Sequence, residues 1–297
     1  MATTLWKWLL VLVALPLLPA CRDAYAQIVR PSGTPRAAAT SRPESQVRIP
    51  GLGSDAYEDL ILESNPTVYL RLNETSGTTA NDSSAAGTND GTYAGTPSFD
   101  QDGVLGTGGA VDFNGTDARI SSTYSPSITD FTFEAWFKVA NGYNTGLSTF
   151  VSWQENGGSG GGLAVGIGAA PGGIGATGTI WMGWTEPFIV ELARTSTTWN
   201  DGNWHHVVAV WDGTAGVEFD ASQITLYVDG VSQAITEETF ANKGGTAPYT
   251  TNRAYYAGTL ADSWDNFTDV TLDEVALYTT TLSAAVVDEH YDSGDPQ

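Results

Sequence analysis

Between Phe131 and Val139 the chain alternates strictly: Phe131, Phe133, Ala135, Phe137 and Val139 fall on one face of an extended strand, Thr132, Glu134, Trp136 and Lys138 on the other. A period of two is incompatible with an amphipathic helix, whose apolar positions recur at three and four residues. One face of this strand is core and the other partly covered, so it belongs inside a layered β structure. Trp204–Trp211 and Ile224–Val228 behave similarly, and Asp201-Gly202 and Asp229-Gly230 are turn dipeptides that supply positive φ at hairpin ends. From Val68 onward short alternating segments are separated by Gly, Asn and Asp at the spacing of an all-β sandwich. Two helices bracket the strands. Tyr57 to Glu63 places Tyr57, Leu60 and Ile61 on one side and stops before Asn65-Pro66, while Ser283 caps a helix from Ala284 to Tyr291.

The 297 residues, 41% apolar and 11% aromatic, are enough to build a core without disulfides or metal staples. Charge is distributed unevenly. Residues 1–50 hold six of the twelve cations, which leaves 6 cations against 32 acids from Gly51 onward. A body this acidic lacks the basic stripe a nucleic acid requires and repels anionic lipid. It stays soluble by self-repulsion.

Leu9 to Leu18 is an apolar run behind Lys7, too short for a secure membrane span and right for the core of a signal peptide. Export to the cell surface or beyond is therefore expected. Two cleavage readings stay open: Ala24-Tyr25-Ala26 before Gln27 suits a leader peptidase, and Leu18-Pro19-Ala20-Cys21 looks like a lipoprotein box in which Cys21, the only cysteine, is lipidated. Either leaves no disulfide-capable pair. The expected organisation is a signal peptide over 1–26, an extended Pro/Ala/Arg-containing linker over 27–51, and a folded body over 52–297.

Several motifs in the body, taken in order, carry a resemblance. They run from Asn65-Pro66-Thr67-Val68-Tyr69-Leu70-Arg71-Leu72-Asn73-Glu74 through Asn89-Asp90-Gly91-Thr92-Tyr93, Phe113-Asn114-Gly115-Thr116-Asp117, Phe133-Glu134-Ala135-Trp136 and Trp204-His205-His206-Val207. Leu226-Tyr227-Val228-Asp229-Gly230 and the closing Leu272-Asp273-Glu274-Val275-Ala276-Leu277-Tyr278 complete the set. Over about residues 57 to 293 the chain resembles the laminin G-like branch of the concanavalin A-like lectin/glucanase jelly rolls. The resemblance implies two antiparallel sheets with the chain ends brought together. It also implies a structural calcium, for which Asp82, Asp90, Asn114 and Asp273 are the positions carried over; calcium takes six to eight oxygens, including backbone carbonyls.

Glycan binding is the use such a sandwich commonly implies, and sugars stack apolar faces on aromatic rings beside a few polar groups. Trp181 and Trp184 follow the Gly-rich segment 157–178, and alternation places them on opposite faces unless a bulge or irregular backbone separates them, so at most one is expected to face a ligand. Tyr249, Tyr256 and Trp264 lie in polar, loop-like surroundings and complete the candidate ligand-binding set. Catalysis is not expected. The Glu-x-Asp-x-x-Glu strand of laminarinase-like relatives, which points acid and nucleophile into one cleft, does not occur here. His205 and His206 are adjacent on a strand, point to opposite faces and cannot chelate one metal. The sequence leaves two functions in view. One is a non-catalytic module for a glycan or cell-surface ligand; the other is a self-assembling structural protein that uses the sandwich as a packing unit.

Overall fold

The computed structural model describes residues 54–106, 108–143, 148–155, 162–168, 177–185, 189–214, 217–239, 253–261 and 264–294. The expected signal peptide and linker, with Cys21, lie outside the described residues, as does Tyr249.

In chain order the first strands are β1 (Val68–Leu70), β2 (Thr79–Ala80), β3 (Gly91–Ala94), β4 (Ser98–Asp102), β5 (Gly109–Asn114), β6 (Arg119–Ser121), β7 (Phe131–Lys138), β8 (Thr149–Glu155) and β9 (Gly162–Ile167). They continue as β10 (Thr179–Thr185), β11 (Ile189–Thr198), β12 (Trp204–Trp211), β13 (Ile224–Val228), β14 (Val231–Ser232), β15 (Ile235–Thr239), β16 (Arg253–Ala257), β17 (Thr259–Ala261), β18 (Trp264–Phe267) and β19 (Asp269–Tyr278). An eight-stranded sheet runs β14-β13-β12-β7-β19-β5-β4, with β1 also on β19. A nine-stranded sheet runs β15-β11-β10-β9-β8-β16-β6-β3-β2, and β17 and β18 form a separate ribbon. This is the antiparallel sandwich that the alternation and the resemblance imply.

Strand β7 sits at the centre of the eight-stranded sheet, between β12 and β19. Phe131, Phe133, Ala135, Phe137 and Val139 enter the main core, where they share space with Val165, Met182 and Trp184 of the other sheet. Each such side chain contributes about 1.5–3 kcal/mol by leaving water. The β13–β14 hairpin turns at Asp229 and Gly230 with φ of 51° and 72°, the two positive values a two-residue type I′ turn requires.

Helix α1 (Ser54–Glu63) ends where Asn65 takes a left-handed φ of 55° in front of Pro66. Helix α2 (Ala284–Gly294) is capped as its sequence predicts, with Ser283 Oγ accepting from Val286 N at 3.4 Å. Both helices lie on the outer face of the eight-stranded sheet. There Tyr57, Ile61 and Val287 form a second core with Trp136, Val208, Val210 and Tyr278. A Cβ on Gly294 would fall 2.8 Å from the Tyr57 ring and 2.9 Å from Trp136, so only glycine lets the end of α2 approach this closely. Pairing of β1 with β19 and the 3.0 Å contact between Ser64 Oγ and His290 Nε2 bring the two ends of the body together.

Candidate functional site

On the outer face of the eight-stranded sheet, antiparallel register aligns four side chains from four neighbouring strands. Asp112 on β5 pairs with Thr271 on β19, Thr271 with Lys138 on β7, and Lys138 with Trp204 on β12. All four are partly exposed, whereas the next residue of β7 on the same face, Trp136, is buried under the helices. The row borders an open cleft of about 240 Å³ lined by Asp112, Lys138, Val139, Ala140, Gly202, Asp269, Val270 and Thr271. That is slightly below the ~300–1,000 Å³ of pockets for drug-sized ligands and suits one sugar residue. Thr271 Oγ1 donates to Asp112 Oδ1 at 3.2 Å, and the Lys138 ammonium lies 5.3 Å from the centroid of the Trp204 ring. Burial raises the Asp112 carboxyl above its ordinary range; the Thr271 hydrogen bond opposes this, the Asp269 charge adds to it, and Lys138 opposes it weakly. The cleft therefore offers carboxylate acceptors and one ammonium donor, and that ammonium rests over the Trp204 ring, the next side chain of the row.

Beneath the helices the same face carries a closed polar network. Glu134 Oε1 meets His206 Nε2 at 2.8 Å and His290 Nδ1 at 2.9 Å, and Tyr278 Oη donates to Glu134 Oε2 at 2.8 Å. Burial alone would raise the Glu134 carboxyl. The charge of His290 and the hydrogen bonds from both histidines outweigh that and hold it well below the usual carboxylate range. Beside it, β19 shifts register between Asp273 and Ala276, and Glu274 adopts a φ of 53°. A left-handed glutamate costs roughly 1–2 kcal/mol. Its partners offset the cost: Tyr69 Oη donates to Glu274 Oε2, and Arg71 reaches both Glu274, at 3.4 Å, and Glu58 of α1, at 2.7 Å. Burial raises the Glu274 carboxyl to about 7 against the pull of Arg71 and Tyr69. Glu134, His206, His290 and Glu274 are buried, and these groups position the helices.

His205 and His206 do point to opposite faces. His205 bridges two turn carboxylates, Asp229 Oδ2 at 2.9 Å and Asp201 Oδ1 at 3.1 Å. Burial works against its charge, but Asp229 and then Asp201 prevail and raise its pKa.

Of the aromatic residues proposed from sequence, Trp181, Trp184 and Tyr256 are buried. Trp184 is 1% exposed because it points between the sheets, against Phe219. Trp181 does lie on the opposite face, as alternation requires, but is 0% exposed. It packs with Ala164, Leu192 and Leu260, and Leu260 arrives on the ribbon strand β17, whose carbonyls at Thr259 and Leu260 accept from Ser152 Oγ of β8. Tyr256 is 2% exposed and packs with Ala254. Trp264 opens β18, and its side chain lies outside the described residues, as Tyr249 does entirely. Trp204, which was not among the candidates, is the ring over which Lys138 of the cleft rests.

The expected calcium ligands serve local structure. Both Asp82 oxygens are occupied: Oδ1 accepts from Tyr69 N and Ser84 N at 3.0 Å, Oδ2 from Ser84 Oγ at 2.9 Å and Asn89 N at 3.0 Å. Asp90 Oδ1 accepts from Asp82 N at 2.8 Å, so these two do share one loop. Asn114 Oδ1 instead accepts from the amides of Thr116, Asp117 and Ala118, and Asp273 Oδ2 accepts from Val104 N at 2.9 Å. Among the described residues no three His, Cys, Asp or Glu side chains are grouped to hold a metal ion. As arranged, the four positions do not fit a calcium cage.

A family model described as the concanavalin A-like lectin/glucanases superfamily matches residues 105–288. The sequence matches no curated protein. Among solved structures, a Trypanosoma rangeli sialidase in complex with 2,3-difluoro-KDN is 14% identical with a TM-score of 0.54, over 93% of this chain and 38% of that one. Domain 4 of an extracellular arabinanase from Geobacillus stearothermophilus, in complex with arabinotriose, is 19% identical with a TM-score of 0.51, over 76% of this chain and 98% of the domain. The receptor-binding domain of botulinum neurotoxin type G is 14% identical with a TM-score of 0.50, over 77% and 51%. At these identities the likeness is one of fold, and this chain spans only 38% of the sialidase.

Proposed function

Since the chain belongs to the concanavalin A-like lectin/glucanases superfamily, we propose that it is an exported, non-catalytic module that binds a glycan or surface ligand in the cleft beside Trp204. The observation that carries this reading is the register row Asp112–Thr271–Lys138–Trp204, which stays partly exposed where Trp136, the next outward residue of β7, is buried under the helices. Asp112 and Asp269 accept hydrogen bonds from the sugar, and the Trp204 ring offers a stacking face once Lys138 swings aside. The arabinanase domain with arabinotriose and the neurotoxin receptor-binding domain, which share the fold, support a binding role. Export follows from the apolar run behind Lys7.

A glycan array probed with the full chain, followed by calorimetry on the strongest hit, tests the proposal. Retained glycan whose affinity falls at least tenfold in Trp204→Ala supports it. A blank array, or affinity indifferent to Trp204, overturns it. Release of new reducing ends from the bound glycan would move the cleft to the hydrolases, with Asp112 and Asp269 as the acids to substitute first.

A further inference from the structure

Resting on that binding reading, we infer that the cleft selects a sugar carrying a free ammonium group, and that Lys138 occupies part of the place such an ammonium would take. Two aspartates line the cleft, and Asp112 is only partly exposed. Among the described residues, the one hydrogen bond to its carboxylate from a side chain is that of Thr271 Oγ1. Among the described residues Lys138 makes no ion pair with Asp112 or Asp269; its ammonium rests over the Trp204 ring. A half-desolvated carboxylate with one neutral donor gains most from a cation, because charge-assisted hydrogen bonds are about twice as strong as neutral ones. A neutral sugar leaves that gain unrealised. An acidic sugar meets Asp112, Asp269 and a chain of net charge −22, and is repelled.

The chain itself demonstrates half of the recognition. A primary ammonium already sits against Trp204, where the ring quadrupole attracts cations. A metal ion fits less well, since two carboxylates and a threonine fall short of the six to eight oxygens calcium takes. Lys138 then acts as a competitor of the ligand's ammonium, not as its partner, and this separates the inference from general sugar binding.

Calorimetry of the full chain with three oligosaccharides of equal length tests it: the tetramer of β-1,4-glucosamine, its fully N-acetylated form, and tetragalacturonate. At low salt the amine-bearing tetramer should bind at least tenfold more tightly than the N-acetylated one, and tetragalacturonate weakest. Lys138→Met should tighten amine binding severalfold, and Asp112→Asn should remove most of the preference while its melting curve shows the variant folded. Asp59→Asn, which removes one charge from an exposed position on α1, should leave the preference intact and so exclude non-specific attraction to an acidic surface. Tighter binding of the N-acetylated or acidic tetramer, weaker amine binding in Lys138→Met, or equal losses in Asp59→Asn and Asp112→Asn each overturn the inference while leaving the binding reading standing. If none of the three binds, an array hit without an amine overturns this inference alone, and a blank array overturns both.

Discussion

On the outer face of the nine-stranded sheet, Trp181 is sealed by Ala164, Leu192 and Leu260, an apolar patch closed by a ribbon. On the outer face of the eight-stranded sheet, two helices cover an ion-paired cluster around Glu134, and the row ending in Trp204 is left open. The first cover is non-directional, since any apolar group of the right size can exclude water from an indole. The second is directional, because Glu134 is satisfied only when β12, β19 and α2 deliver His206, Tyr278 and His290 together. A polar network of this kind dictates where the helices sit, and therefore where they stop and the cleft begins.

Breaking the directional side should have the largest effect. Glu134→Ala strands two buried histidines and the Tyr278 hydroxyl, and removal of one partner from a buried pair costs roughly 3–5 kcal/mol. Urea unfolding checks this, and a loss under about 1 kcal/mol would mean that apolar contacts alone hold the helices. Next comes the sealed indole: Trp181→Ala should cost about 3 kcal/mol without weakening any glycan bound at the cleft. Unchanged stability with lost binding would return Trp181 to the ligand-binding set.

The pH dependence of stability sharpens the contrast at smaller amplitude. Glu274 carries a folded pKa of about 7, above the ~4.3 of an unfolded glutamate, so the folded chain binds more protons between those values and stability falls as pH rises across that window. His290 and His205, both raised, act with the same sign and lose their contribution as pH rises further through their folded values. Glu134, lowered, contributes above the unfolded value and loses its share as pH falls below about 4. Thermal melts between pH 3 and 9 should show a maximum on the mildly acidic side. Glu274→Gln should flatten the slope between about 4.5 and 7, and an unchanged slope would refute the assignment to Glu274. Smallest in stability is Trp204→Ala, which forfeits the Lys138 contact, worth about 0.5–1 kcal/mol at an exposed site, while abolishing ligand binding.

Much of the scaffold was legible from residues near one another in the chain. The alternation of Phe131–Val139, the Asp229-Gly230 turn, the Asn65-Pro66 stop and the Ser283 cap are each set by a few consecutive side chains. The candidate site was not. Its row gathers positions 112, 138, 204 and 271, which meet only through register across three strand pairs. Glu134 was visible as an outward residue of β7, yet its partner His290 stands 156 positions away. Asp82 was a metal position that the family resemblance implied, and only the fold reveals that four donors already fill its oxygens.

By itself, the sequence determined the strands β7, β12 and β13, the faces of β7, both helices and the family resemblance, because sterics, turn chemistry and side-chain period act over two to seven residues. Only the tertiary structure decided which outward residues remain in contact with water. Burial of an outward face depends on what the distant chain lays over it: a ribbon over Trp181, two helices over Glu134 and Trp136, and only partial cover over the row from Asp112 to Trp204, whose ring packs at the margin of the helix-covered core.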